Sequence, residues 1–98
     1  MSDSTVISAE VKNHFWDVVV ACLVIFHKRP VSLARKKVCR LREKVEGDSV
    51  DTRDFFYHQE PFDVACRVEG NALEIEPHLK RYLELRDVKN PFSLTECE

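Results

Sequence analysis

Glycine is scarce in this chain: its 98 residues hold two, Gly47 and Gly70. That leaves little material for the tight turns of a β-sandwich and none for a glycine-rich phosphate loop. The four cysteines, Cys22, Cys39, Cys66 and Cys97, never form a CxxC pair. Without a secretory context they read as reduced thiols, and the first three lie among apolar neighbours, where cysteine acts as a small hydrophobe. His14, His27 and His78 show no ligand spacing to any cysteine, so neither a metal site nor a cofactor is expected. The first 17 residues carry Asp3, Glu10 and Asp17 and lack a basic region followed by an apolar stretch. The longest uninterrupted apolar run, Val18 to Phe26, is nine residues, whereas a membrane-spanning helix needs about twenty. The expectation is a cytoplasmic protein without a membrane segment.

What the chain does have is helix-forming material. An apolar fraction of 44% beside a charged fraction of 33% belongs to a folded globular chain rather than a disordered one. At this length one domain is expected, with a core thin enough for a partner subunit to matter. Residues 1–7 read as a flexible N-terminal tail, 8–90 as a single helical domain and 91–98 as a flexible C-terminal tail. Ser8 is a candidate N-cap for a long helix running to His27. On it Val11, Phe15, Val18, Val19, Cys22 and Phe26 share one face at three- and four-residue spacing. Trp16, Val20, Leu23 and Val24 extend the apolar surface around the other side, so the second half is apolar all round. Its β-branched density also permits a strand over Val18–Phe26.

Pro30 ends that helix, and Ser32 is placed to cap a second one reaching Glu46, with Gly47 as its stop. Ala34, Val38, Leu41 and Val45 give it a narrow apolar seam. Ser49 or Asp51 can cap a short helix holding Phe55, Phe56 and Tyr57. Glu60-Pro61 opens a further helix, which Gly70-Asn71 closes. A last helix is read over Glu74–Asp87, with Pro77 in its first turn and Ile75, Leu79, Tyr82 and Leu83 facing inward. The fold class that follows is all-α: a small compact bundle of four to five helices around a long apolar N-terminal helix.

Charge is unevenly distributed. Lys28 to Lys44 contains eight basic residues and one acid, a net of plus seven, so the rest of the chain carries minus nine to reach the overall minus two. Arg29, Arg35, Lys36, Lys37 and Arg40 form a candidate site for an anion or a partner, since cations beside a helix N-terminus favour bound anions. Phosphate contact, including nucleic acid, is one reading of that helix. The other is neutralisation by acids of the same chain or a second copy, which a pI near 6.1 favours. Tyr57, His58 and Glu60 form a candidate pocket in which a histidine stands beside an acid. The competing reading is an aromatic clamp ahead of the next helix, with His58 and Glu60 solvated. No nucleophile accompanies them, the serines sit at ends and caps, and no catalytic residue is assigned. Trp16, Val20, Leu23 and Val24 are interface candidates, because a helix apolar on every side asks for more cover than three short helices readily give. The expected function is therefore a non-catalytic helical protein–protein interaction module that self-associates as a homodimer or takes another protein. A small nucleic-acid-binding regulator using the basic second helix is the alternative.

Overall fold

The computed structural model describes residues 9–87, apart from the side chains of Ala9, Val50, Arg53 and Asp54. The expected tails 1–7 and 91–98 lie outside the described residues, as does the proposed Ser8 cap. Five α-helices follow in chain order: α1 (Ala9–Ile25), α2 (Val31–Glu46), α3 (Val50–Phe56), α4 (Pro61–Glu69) and α5 (Leu79–Asp87). No strand occurs among the described residues, and Val18–Ile25 is helical.

The all-round apolar helix is the centre of the bundle. Helices α2, α4 and α5 each pack on α1, and from Val18 to Leu23 no residue reaches solvent. Trp16, with 0% of its surface exposed, is enclosed by aromatic rings. Phe15 meets it edge-on at 5.1 Å, Phe56 stacks on it at 5.5 Å and Tyr57 approaches at 5.8 Å. Offset and edge-to-face pairs of this kind add about 0.5–1.5 kcal/mol each beyond the area they bury. Trp16, Val20 and Leu23, expected at an interface, are therefore core of the single chain, and Val24 is half-buried against it. Helices α4, α2 and α5 supply within one chain the cover expected from a second copy, and Phe56 of α3 with the adjoining Tyr57 encloses Trp16. Val11, expected on the inner face, is exposed, since α1 emerges from the bundle in its first turn.

The helix ends obey local chemistry with some departures. Pro30, not Ser32, occupies the N-cap of α2: its fixed φ of −60° delivers an extended residue and the helix begins at Val31. Ahead of it, Lys28 adopts a left-handed φ of 59°, and the Arg29 N–H reaches back 3.0 Å to the Leu23 carbonyl oxygen. Ser49 caps α3 as expected, with Thr52 N–H donating to its Oγ at 3.4 Å. Gly70 ends α4 at φ 65°, the left-handed stop that glycine adopts without steric cost. The last helix divides, because Pro77 cannot donate a backbone bond: Glu76–His78 forms a 3₁₀ turn and α5 starts at Leu79. Its inner face is Tyr82 and Leu85, with Leu79 and Leu83 exposed rather than buried. Tyr82 sets this rotation. Its hydroxyl donates to Glu60 Oε1 at 2.7 Å and accepts from the Phe62 N–H at 3.3 Å.

Cys22 and Cys66 are free and buried, in keeping with their reading as core thiols. Burial pushes the Cys22 thiol up, and the neighbouring Cys66 adds to it. Cys39 departs from the expectation, being disulfide-bonded.

Candidate functional site

Helices α2 and α4 both pack on α1, and residues of each line a trough between them. Its deeper part has a volume of about 170 Å³ and is lined by Leu41, Phe56, Val64, Val68 and Arg67. A shallower depression of about 450 Å³ continues it along α2, sharing Leu41 and Val68 and adding Lys37, Arg40 and Lys44. The sequence explains why the trough is apolar below and basic above. Leu41 sits at the edge of the α2 seam, whose Ala34, Val38 and Val45 are spent on the core, so Leu41 is left half-covered. On α4, Val64 points inward and Val68, one turn on, comes out at the rim. No acid lines either depression. Arg40, Lys44 and Arg67 are exposed and make no ion pair among the described residues.

At one end the trough is closed by an ion cluster. Glu69, the last residue of α4, accepts from Arg29 Nε at 2.8 Å and from Lys37 Nζ at 3.1 Å, with its own side chain nearly covered. Burial raises the Glu69 carboxyl, but the hydrogen bonds from Lys37 and Arg29 outweigh it and hold the group below its usual range. His27 lies beside this cluster with its Nε2 buried and without a hydrogen-bond partner among the described residues. Burial lowers its affinity for a proton, Arg29 and His78 add to that, and the nearby Glu69 only partly offsets them.

These contacts separate the members of the proposed anion site. Arg29 and Lys37 are drawn to Glu69, Arg35 is half-buried, and Lys36 and Arg40 stand out in solvent. Arg42, another of the basic run, donates to Asn13 Oδ1 at 2.8 Å. Part of the basic surplus is thus absorbed within the chain. The residues free to meet a partner are Arg40, Lys44 and Arg67 along the trough, together with Lys36. Of these, Arg40 and Lys36 belong to the anion or partner site expected from the sequence.

Tyr57, His58 and Glu60 do not converge on a pocket. Tyr57 is buried: its hydroxyl accepts from Trp16 Nε1 at 2.9 Å and donates in a short hydrogen bond to Glu46. Burial and the Glu46 bond push the Tyr57 phenol up to about 12. Lys12 stands 5.4 Å above its ring and 3.9 Å from Glu46. His58 is exposed. Glu60 turns the opposite way, towards Tyr82 and, at 3.2 Å, Arg86. The segment behaves as the aromatic clamp, with the tyrosine hydroxyl satisfying a buried indole. The trough was missed because its floor draws one or two residues from each of three helices.

Comparison with known proteins returns no match: no described family, no curated protein and no solved structure is similar to this chain. No group of three or more metal-ligating side chains occurs among the described residues, and no helix there is long and apolar enough to cross a membrane.

Proposed function

We propose that this protein is a non-catalytic helical module that binds another polypeptide in the α2–α4 trough. The observation that carries the reading is the trough itself, an apolar floor of Leu41, Val64, Val68 and Phe56 bordered by Arg40, Lys44 and Arg67, which make no ion pair among the described residues. Helical troughs of this composition suit a peptide segment that brings an apolar anchor and acidic flanks. The surface of α1 expected at an interface is occupied by the chain's own helices, which favours the exposed α2–α4 trough as the contact surface. Binding in place of catalysis is supported by the way Tyr57, His58 and Glu60 turn apart. Nucleic-acid binding through α2 is the weaker reading, because Arg29, Lys37 and Arg42 are engaged within the chain.

A photo-crosslinking amino acid placed at Val68, with a control at exposed Lys80 on α5, tests the proposal in cells. Protein adducts at position 68 and none at position 80 are expected. Adducts to nucleic acid alone, or equal protein adducts at the two positions, would overturn it. A gel shift at moderate salt should show no complex with DNA or RNA, since a phosphate-binding α2 would give one whose affinity falls steeply with salt.

A further inference from the structure

Phe55 is the most exposed large apolar side chain of the described residues, with 70% of its surface in water. Its neighbour Phe56 turns inward, stacks on Trp16 and lines the deep part of the trough. Phe55 therefore stands at the α3 end of the trough without entering it, and Asp48 and Asp51, both exposed, lie in the same short segment. An aromatic knob beside acids thus directly precedes, in the chain, a residue that lines an apolar hole beside cations.

We propose that the occupant of the trough is a second copy of this chain, with Phe55 of each copy seated in the trough of the other. The proposal rests on the reading of the trough as a polypeptide-binding site and names its partner. Three observations favour a second copy. The first is size: a cavity of roughly 150 Å³ accepts a benzene ring, and the deep part of the trough measures about 170 Å³. The second is charge. Docking Phe55 brings Asp48 and Asp51 of one copy towards Arg40, Lys44 and Arg67 of the other, which pairs cations that have no ion pair among the described residues. The third is placement, because a knob next to its own complementary hole is the arrangement that a two-fold axis repeats on both subunits. Leu79 and Leu83, exposed on α5, lack such complementarity. Between Glu76 and Asp87 three acids are matched by three bases.

Sedimentation equilibrium of the full chain across micromolar to millimolar concentration tests this. Masses rising from 11.4 kDa towards twice that value are expected. Burying one phenylalanine side chain corresponds to at least about a tenfold change in affinity, and the symmetric contact is made twice. Phe55→Ala should then weaken the dimer about a hundredfold. Its exposure means that the fold survives, which circular dichroism verifies. The double variant Lys44→Glu, Arg67→Glu should also be monomeric. An equimolar mixture of the two variants should form heterodimers of intermediate affinity, because one anchor and one trough remain intact between them. A monomer at every concentration, or a dimer indifferent to Phe55→Ala, would overturn the proposal. If the chain is monomeric and the Val68 crosslinks reach a different protein, the second copy is refuted while the module reading stands. If those crosslinks reach no protein, the module reading fails with it.

Discussion

Replacing Tyr57 by phenylalanine isolates one oxygen atom on which the centre of the bundle depends. The ring would keep its edge-on contacts with Phe15 at 5.2 Å and Trp16 at 5.8 Å, so almost no volume is lost. What disappears is the acceptor for Trp16 Nε1, 2.9 Å away, on a side chain with no solvent access. A buried donor left without a partner costs about 1–3 kcal/mol. The lost bond to Glu46 adds little, because that carboxylate is half-exposed and has Lys12 at hand. A domain of this size is stable by about 5–15 kcal/mol, so the loss is a substantial share of the whole. Urea unfolding followed by far-ultraviolet circular dichroism reads it directly, and the same probe serves variants that lack Trp16, the chain's single tryptophan. The midpoint should fall with an unchanged slope. In the background of Trp16→Phe, which has no indole donor, the same substitution should cost clearly less. A loss under about 0.5 kcal/mol in the wild-type background would refute the argument that the hydroxyl serves the indole.

Four further outcomes follow from other parts of the molecule. Gly70→Ala should destabilise by about 1 kcal/mol, read as a lower melting temperature; no atom lies within 4 Å of the added methyl, so the cost is the left-handed backbone alone. Lys28→Gly should do the reverse, raising stability by about 0.5–1 kcal/mol, since an exposed lysine at φ 59° carries strain that glycine does not. Stability should decline in two stages on acidification. His27 binds protons less readily when folded, so its contribution is complete above its ordinary value of 6.5 and fades as pH falls below it. Glu69, also lowered, acts likewise below its ordinary 4.5, with a modest effect because Arg29 and Lys37 both reach solvent; His27→Gln should remove the first stage and leave the second. On the alkaline side the Tyr57 phenol is raised from 10 to about 12, so its contribution is intact below pH 10 and disappears as pH rises through 12, which the ultraviolet phenolate band would follow.

The helices were legible because their signals are local. Pro61 at the first position of α4 and Gly70 after its last need only neighbouring residues to be interpreted, and both ends fall where the sequence puts them. The apolar periodicity of α1 likewise marks a helix, despite a β-branched run that also suits a strand. What could not be read was which side of each helix faces which neighbour. Leu79 and Leu83 look like the inner face of α5 by spacing, yet the helix is rotated so that Tyr82 reaches Glu60 and Phe62, and the leucines meet solvent. Whether Trp16 is covered within one chain depended on Phe56 and Tyr57, more than thirty residues away. The trough has no linear signature, because its floor and rim exist only once three helices are assembled.

The basic character of α2 then divides along the same lines. A helix that carries cations in its first turns opposes its own dipole, and something in the fold must offset that. At its N-terminal end the offset is Glu69, which holds Arg29 and Lys37 together and thereby ties the end of α4 to the start of α2. That clasp joins the helices at one end only, and further along α2 Leu41 and the rim cations remain uncovered. Glu69 is therefore both the reason that Arg29 and Lys37 make a poor anion site and the element that fixes the near wall of the trough. Glu69→Gln separates these roles. It would weaken the clasp while leaving Arg40, Lys44 and Arg67 in place. If the trough binds through its shape as well as its charge, the variant should associate more weakly even though it gains positive charge. If attraction to the basic helix were all that mattered, Glu69→Gln should associate more tightly. Sedimentation equilibrium on the single variant distinguishes the two, and a tighter complex would show that the trough's geometry plays no part.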